Sequence, residues 1–209
     1  MKKYFIVLLL LSVTASATCQ ILKLKKQFYT IYFHEKQKIP LYTVYTLKKS
    51  FIVSKPRKGD FKQDSAVNTD KQASDATYDD PDYDKGHFTP DADFRFNDDA
   101  EAATFLYTNA APQQDYFNEH LWANLEKHVR DICSQNGDVK VFTGCMFGAQ
   151  KLHGIDIPAY FWKVIIYKVN GQKVKEAYKS KNKKPASNVY TTIKYDFNTL
   201  KQETGLSFN

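Results

Sequence analysis

Three short segments in the middle of this 209-residue chain carry side chains whose types and spacing could do chemistry. They are Tyr83–His87, Thr108–Gln113 and Phe117–Arg130. Together they offer a histidine beside a lysine, asparagines with an oxygen for a hard cation, and a glutamate and an arginine on one stretch. A neutral histidine accepts a proton from water, a hard cation prefers oxygen ligands, and cationic groups favour an anion. The set predicts metal-assisted attack of water on a phosphodiester.

His87 is the predicted base. It follows Gly86, where the main chain can approach another group closely, at the end of an acidic and irregular segment. An imidazole with an ordinary pKa of ~6.5 is mostly neutral at neutral pH. The positive charge of Lys85 would lower that pKa and would also stand near the attacked phosphate. The alternative is that His87 is a surface or core residue, which is the commoner case for a single histidine.

Asn118, Glu126 and Arg130 lie in one row, because together with Trp122 they follow four-residue steps. A helix rises ~1.5 Å per residue, so Glu126 would lie ~12 Å along the axis from Asn118. Both side chains could not bind one cation directly, but Glu126 could reach a water of hydrated Mg²⁺, which keeps several of its waters. The alternative is a solvated helix face with a Glu126–Arg130 pair worth about 0.2–0.5 kcal/mol.

Two other metal sites are weaker alternatives. Asp80–Asp84 has the alternating carboxylates of a calcium loop, with Asp91 at the twelfth place, but the glycine of such a loop belongs at the sixth place and Gly86 is at the seventh. A zinc site from His120, His128 and a cysteine would need closer spacing, because eight residues separate the two histidines.

The surrounding sequence predicts an α+β fold, with an antiparallel central sheet and one long helix on it. The helix is predicted at Asp115–Cys133, because Asp115 can cap it and apolar residues recur at three- and four-residue steps. Residues 54–82 are predicted to form a long loop, and Ala100–Leu106 a short helix or strand. The strands and the terminal helix are predicted at Gln27–Phe33, Leu41–Leu47, Val139–Thr143, Phe161–Val169, Lys173–Tyr178, Val189–Tyr195 and, for the helix, Phe197–Thr204.

Residues 1–17 are predicted to be a signal peptide. Lys2 and Lys3 precede a ten-residue apolar run, and Ala15-Ser16-Ala17 follows it as a cleavage pattern. The run is too short to span a bilayer, so no stable membrane insertion is expected. The domain would occupy residues 18–209 and would be secreted or periplasmic. The cysteines, Cys19, Cys133 and Cys145, form no disulfide or zinc pattern, so the last two are predicted to be free, half-buried thiols, with a lipid anchor on Cys19 as a second choice.

The charge is unevenly distributed along the chain, whose formal net charge is +7. Residues 21–58 hold ten Lys and Arg against one acidic residue, and residues 163–194 hold nine lysines against one. Residues 64–103 between them hold twelve Asp and Glu. Two basic arms around an acidic centre suit a polyanion-binding rim around a cation site, although solvated surface lysines explain the composition equally well.

Taken together, these segments resemble the DNA/RNA non-specific endonuclease family of the ββα-metal nuclease superfamily. The family's Asp-Arg-Gly-His motif corresponds to Asp84–His87, and its Thr-Asn-x-x-Pro-Gln box to Thr108–Gln113. Its Asn-x-x-x-Trp-x-x-Leu-Glu-x-x-x-Arg helix corresponds to Asn118–Arg130, and the similarity covers nearly all of residues 18–209. The departure is Lys85, which stands where the family has arginine. Lysine keeps the charge but loses the planar contact with two phosphate oxygens.

The resemblance implies a role for each matching residue. His87 would be the general base, Asn118 the single direct protein ligand of the metal ion, and Glu126 would orient a water of that ion. Arg130 would contact the scissile phosphate or the leaving oxygen. Asn109 would be a polar residue that positions the site. The implied catalytic residues are thus His87, Glu126, Arg130 and Asn109, and the implied metal ligand is Asn118.

Lys85 and Arg57 are the implied phosphate-binding residues. The resemblance further implies Mg²⁺ as the cofactor, with Mn²⁺ able to substitute, and DNA and RNA as substrates cut to leave 5′-phosphate ends. A homodimer and an inhibitor protein are compatible with it and stay open. The alternative function is an exported nucleic-acid-binding protein on the same scaffold that has lost catalysis.

Overall fold

The computed structural model describes residues 21–209, so the predicted signal peptide and Cys19 lie outside the described residues. The sheet-forming elements in chain order are β1 (Ile21–Lys25), β2 (Tyr29–His34), β3 (Ile39–Leu47), β4 (Tyr83–His87), β5 (Ala110–Gln114), β6 (Val139–Met146), β7 (Lys151–Leu152), β8 (Ile155–Asp156), β9 (Tyr160–Val169), β10 (Gln172–Lys181) and β11 (Lys194–Tyr195). The helices are α1 (Asp98–Thr104), α2 (Ala123–Asn136), which continues a π-helical segment at Phe117–Trp122, and α3 (Phe197–Thr204).

Seven strands form one antiparallel sheet in the order β1-β2-β3-β6-β9-β10-β11. The predicted α+β fold with a central antiparallel sheet is therefore confirmed. The Asn170-Gly171 turn connects β9 to β10, where Asn170 has φ 49° and Gly171 φ 79°. Two adjacent residues of positive φ form the kind of tight hairpin turn for which Asn-Gly is favoured.

Both faces of the sheet are covered. The apolar stripe of the long helix packs on one face, and its members Leu121, Leu125 and Val129 are buried, as the three- and four-residue spacing predicts. Leu200 of α3 and Phe208 pack on the other face. Strand β9 lies between the two layers, so it is buried continuously from residue 161 to 166 rather than at alternate positions. Continuous burial is what a strand with both faces covered requires.

A separate two-stranded ribbon carries the motif residues. Strands β4 and β5 pair antiparallel with His87 opposite Ala110 and Lys85 opposite Pro112, and the long helix follows β5 directly. This strand–strand–helix unit is the predicted ββα motif. Gly86 is required where the strands meet, because a Cβ there would lie 2.2 Å from Gln113 Oε1.

One predicted strand differs from the structure, one segment is assigned between its two alternatives, and one strand is new. The Val189–Tyr195 prediction is wrong for most of its length: Tyr190–Ile193 is a 3₁₀ turn, and only β11 pairs with β10. Its β-branched residues favour a strand, but strand propensity depends on packing, and this segment is exposed or half-buried. Asp98–Thr104 is the helix α1, because Asn97 caps it through its bond from Ala100 N at 2.9 Å. Strand β1 was not predicted.

Cys133 and Cys145 are free, as predicted, and both are buried rather than half-buried. Their thiols donate to the carbonyls of Leu47 and Pro40, at 3.4 and 3.3 Å. Burial raises the pKa of Cys133 to about 11, so this thiol stays protonated at neutral pH. Across residues 21–209, no helix has the length and apolar character needed to span a bilayer.

Candidate active site

The ββα unit opens onto a cavity of about 1010 Å³. Its wall includes His87 and Lys85 from β4, Asn118 and Glu126 from the long helix, and Arg57 from the loop before β4. The structure therefore brings together five of the seven residues predicted from the sequence. Asn109 and Arg130 are not part of this wall, and each has a different environment, described below.

His87 is held between two aromatic rings. Its ring centroid lies 4.7 Å from that of Phe61 and 5.0 Å from that of Phe105. Its Nε2 atom is buried and has no hydrogen-bond partner among the described residues. Burial lowers the pKa of His87 to about 4, the nearby Asp91 carboxylate raises it, and the Arg57 and Arg95 charges lower it. The imidazole is therefore neutral at neutral pH, as a base must be.

Asn118 lies in the π-helical start of the long helix. The Ala123 N–H donates to Asn118 O, five residues back, which widens this turn. The Asn118 side chain donates from Nδ2 to Asp84 Oδ2 at 2.8 Å. Among residues 21–209 no group donates to its Oδ1, so that oxygen is left for a ligand in the cavity. Single π turns occur often at functional sites, and this one was not predicted from the sequence.

Glu126 pairs with a buried lysine rather than with Arg130. Its Oε1 lies 3.6 Å from Lys163 Nζ, and the Lys163 side chain is 1% exposed. Lys163 Nζ also donates to Thr143 Oγ1 at 2.9 Å. Burial raises the pKa of Glu126 to about 7, while the Lys163 and Arg130 charges lower it. The alternative of a Glu126–Arg130 pair on a solvated face therefore does not hold, because this side of the helix packs on β9.

Arg130 belongs to the same network of charged side chains as Glu126. Its Nη1 lies 3.1 Å from Asp93 Oδ1, and the other oxygen of Asp93 accepts from the Tyr45 hydroxyl at 2.6 Å. Two carboxylates, Asp93 and Glu126, are thus balanced by two cations, Arg130 and Lys163. The structure places Arg130 in this buried network and not in the cavity wall, so its sequence-based contact with the scissile phosphate gains no geometric support.

Asn109 is fully buried and does not line the cavity. Its Nδ2 donates to the carbonyls of Thr89 and Thr104, each at 2.9 Å, and its Oδ1 accepts from Thr89 N at 3.0 Å. Its main-chain oxygen accepts from Phe88 N at 2.9 Å. Asn109 therefore fixes the chain just after His87, which fits the polar, positioning role that the resemblance implies.

Lys85 already has an acidic partner. Its Nζ lies 2.6 Å from Asp75 Oδ1, and the Tyr107 hydroxyl donates to the same oxygen. The Lys85 ammonium and this hydroxyl hold the pKa of Asp75 below its ordinary value. Asp75 is 78% exposed and comes from the acidic loop before β4. A phosphate that approaches Lys85 would have to compete with this carboxylate.

Asp75→Asn is expected to strengthen the binding of a polyanion, because the change frees Lys85 and removes a negative charge from the cavity. Exposed ion pairs contribute about 0.2–1 kcal/mol, so KM for a polynucleotide should fall on the order of threefold at low salt. KM measured across a range of salt concentrations checks this. The matched control is Asp70→Asn, which breaks the exposed Asp70–Lys71 pair in the same loop. An equal effect from both variants would show that Asp75 has no special place.

Arg57 is the exposed cation of the cavity wall. Its guanidinium lies 4.8 Å from the centroid of the Phe105 ring, which is the ring that also packs on His87. Gly59 follows with φ 132°, and a Cβ there would lie 2.7 Å from Phe105. The close approach of the loop to Phe105 thus places the Arg57 charge beside His87, as the sequence comparison with the family implies.

Sequence reasoning missed Lys163, Asp84 as a partner of Asn118, Asp75 and Asp93. Lys163 had one available signal: it is the one charged residue of the apolar run 161–167, which lies inside a predicted strand. A lysine at such a position is buried only when it is paired. The partners of the other three lie far away in sequence, at separations of 10 to 37 residues.

The cavity wall is acidic and suits a cation. It contains Asp60, Asp75, Asp84, Asp91, Glu119 and Glu126 against Arg57 and Lys85. Without a cation this balance would repel a phosphate. Within residues 21–209 no three His, Cys, Asp or Glu side chains gather closely enough to cage a metal, so the calcium and zinc alternatives find no support. The free Oδ1 of Asn118, whose amide is bonded to Asp84 and which shares the cavity with Glu126, suits a hydrated hard cation, which takes few protein ligands.

Comparisons with known proteins agree with this geometry. Human mitochondrial endonuclease G is 30% identical over 133 residues, which cover 56% of this chain and 44% of that protein. A nuclease from Nostoc sp. is 28% identical over 144 residues, which cover 68% of this chain and 53% of that protein. The matched part of this chain thus spans about half the length of these relatives.

A solved structure, described as the EndoG/EndoGI complex, contains a chain with the same fold. Its TM-score is 0.79 at 21% identity, and the match covers 89% of this chain and 84% of that chain. The model of the DNA/RNA non-specific endonuclease family matches residues 10–209, which includes all three chemical segments. The chain belongs to the DNA/RNA non-specific endonuclease family.

Proposed function

We propose that this protein is an exported, Mg²⁺-dependent endonuclease that hydrolyses phosphodiester bonds of DNA and RNA with His87 as the general base. The observation that supports this most is the shared cavity of His87, Asn118 and Glu126. In that cavity His87 offers a buried Nε2 without a protein partner. The family match and the similarity to known nucleases support nuclease chemistry in general. The roles of single residues are part of this proposal.

His87 accepts a proton from the water that attacks phosphorus. Its lowered pKa keeps the imidazole neutral above about pH 5, and the Phe61 and Phe105 rings fix its orientation. Asn109 holds the main chain that follows His87, so the base cannot shift along β4. Proton transfer to a positioned base of this kind typically contributes about 10²–10⁴-fold to a rate.

Arg57 and Lys85 balance negative charge on the phosphate. Arg57 is free to contact phosphate oxygens from the rim, whereas Lys85 must first leave Asp75. Contacts with phosphate carry no sequence information, which supports cleavage with little preference for base sequence. The same contacts can be made to DNA and to RNA.

Asn118 would hold the divalent cation through Oδ1, and Asp84 fixes the orientation of its amide through the 2.8 Å bond to Nδ2. Glu126 would accept hydrogen bonds from the waters that hydrate the cation, and Lys163 keeps its carboxylate in place. When bound, the cation supplies positive charge where charge develops on the phosphate and the departing oxygen. Mg²⁺ fits this oxygen-only, largely hydrated site, and Mn²⁺ can take similar ligands.

Export is proposed from residues 1–17, which have the pattern of a signal peptide for secretion or delivery to the periplasm. A proteinaceous inhibitor is a further proposed partner, because the solved relative is described in a complex that inhibits it. Size-exclusion chromatography of the purified protein tests the proposed homodimer, and N-terminal sequencing of secreted material tests the cleavage site.

A cleavage assay with metal control tests the proposed function. Supercoiled plasmid and ribosomal RNA are incubated with the protein and Mg²⁺, with Mn²⁺, or with EDTA. Nicking and linearisation of the plasmid and degradation of the RNA are expected with either metal and are expected to stop in EDTA. Binding of both nucleic acids without any metal-dependent cutting would replace this proposal by the alternative of a nucleic-acid-binding protein.

A further inference from the structure

A basic loop, residues 182–188, lies beside the cavity, and asparagines hold it at both ends. At its start, Asn182 Oδ1 accepts from Gln114 N at 2.8 Å, and Asn182 Nδ2 donates to Pro112 O at 3.0 Å. At its end, Asn188 Nδ2 donates to the Tyr116 hydroxyl at 3.2 Å. The loop is thus bonded to β5 and to the first turn of the long helix, which are the two elements that carry the site.

Two aromatic side chains face this loop from the helix. The ring centroids of Tyr116 and His120 lie 4.1 Å apart at an interplanar angle of 62°. Lys184 Nζ lies 4.6 Å from the Tyr116 ring, and Lys183 next to it is exposed. His120 is also part of the cavity wall, so the group starts at the site and leads away from it.

We propose that Tyr116, His120, Lys183 and Lys184 form a flanking-strand site, which binds the nucleic-acid strand next to the scissile phosphodiester. The proposal rests on the proposed function and deepens it. A base would stack on the His120 ring, and the ammonium groups of Lys183 and Lys184 would contact neighbouring phosphates. Aromatic rings together with a cationic groove are the general means of binding a single strand without sequence preference.

The flanking-strand site is continuous with the cavity. Asn118 and His120 both line its wall, and Tyr116 packs on the His120 ring. A strand whose scissile phosphate lies beside Asn118 therefore meets His120 first, and then Tyr116 and the lysines of the loop.

The charges around the cavity favour this exit. The acidic loop with Asp75 lies on the β4 side of the cavity, where it repels a polyanion. On the helix side Asp115 and Glu119 stand against Lys181 at the end of β10 and Lys183 and Lys184 in the loop, while Glu126 is already paired with Lys163. The strand leaves where the positive charge exceeds the negative charge.

The test compares binding of a fluorescent 20-nucleotide single strand by wild type, by Lys183→Ser/Lys184→Ser and by His120→Ala, in EDTA so that no cutting occurs. The double lysine variant should bind several-fold more weakly at low salt, and its plot of log K against log salt should lose a slope of about 1.4, since each phosphate contact contributes about 0.7. His120→Ala should weaken binding roughly fivefold or more by loss of stacking. With Mg²⁺, the double lysine variant, whose residues lie outside the cavity wall, should cleave bis(p-nitrophenyl) phosphate, which has no flanking strand, at the wild-type rate.

The control is Lys23→Ser/Lys25→Ser, which removes the same charge from β1 at the opposite edge of the sheet. The proposal is overturned if this control weakens binding as much as the loop variant does. It is also overturned if the loop variant binds like wild type. Failure of the proposed function looks different: wild type would cut neither substrate, while the binding arm would still test the flanking-strand site.

Discussion

His87→Ala is expected to lower the rate of plasmid cleavage by about 10³-fold while leaving the protein folded. The variant removes the group that takes the proton from the attacking water, and a positioned base contributes about 10²–10⁴-fold. The cation and the phosphate-binding residues remain, so a small residual rate is expected. Cleavage under single-turnover conditions with saturating Mg²⁺ measures the chemical step directly.

His128→Ala is the matched control, because it removes a histidine of α2 that lies outside the cavity wall. The His128 ring stacks on Tyr190 at a centroid distance of 4.2 Å. This control should cleave at nearly the wild-type rate. Added imidazole should restore part of the rate of His87→Ala, since the vacated space lies between the Phe61 and Phe105 rings. Near-normal cleavage by His87→Ala would show that His87 is not the general base.

The same variant has a signature in stability. Burial lowers the pKa of His87 from 6.5 to about 4, so the unfolded chain binds a proton between these values that the folded protein does not bind. The free energy of unfolding therefore falls as the pH drops from 6.5 to 4, by up to about 3 kcal/mol from this residue. Urea unfolding of His87→Ala should lose that part of the pH dependence. Glu126 has a raised pKa and acts in the opposite direction, so the difference between the two proteins is the quantity to measure.

The local parts of the fold could be predicted from the sequence. The stripe of apolar residues in the long helix fixes one buried face, and Phe197–Thr204 has the predicted bounds because Asp196 caps its start and Gly205, at φ 66°, ends it. The site residues of the ββα unit follow from three motifs, each of which is a short continuous segment of the sequence. The β2–β3 and β9–β10 hairpins follow from β-rich segments joined by short turns, whereas the pairing of β3 with β6 and the edge strand β1 have no such signal.

The electrostatic partners could not be predicted, because they depend on contacts between distant segments. Glu126 was expected to orient a water of the cation, with a solvated pair to Arg130 as the alternative, and nothing in the sequence predicted that β9 brings Lys163 to it. Lys85 was expected to bind a phosphate, yet the preceding loop brings Asp75 to it. In both cases the sequence identifies the charged residue, and only the packing of the sheet and the loop decides which opposite charge it meets.

Lys163→Met is expected to lower the free energy of unfolding by about 3–5 kcal/mol and to impair cleavage at neutral pH. Removing one partner of a buried pair leaves the other charge uncompensated, which costs about that much. Of the four balanced charges, Asp93, Glu126 and Arg130 would remain with an excess negative charge. The pKa of Glu126, already raised to about 7 by burial, would rise further, so the carboxylate would hold a proton and no longer orient water in the cavity. Urea unfolding at pH 7 and cleavage rates between pH 6 and 9 measure both effects.

The double variant Lys163→Met/Glu126→Gln separates the charge from the packing. It loses the same bond to Thr143 as Lys163→Met does, so the stability difference between the two reports the buried Glu126 charge alone. The double variant should be more stable than the sum of the two single changes predicts, by about 0.5–3 kcal/mol, and it should stay inactive. Lys163→Met should regain cleavage as the pH rises and Glu126 ionises, whereas the double variant has nothing to ionise. Strict additivity of stability and equal pH profiles would mean that Lys163 supports the core of the sheet and not the glutamate.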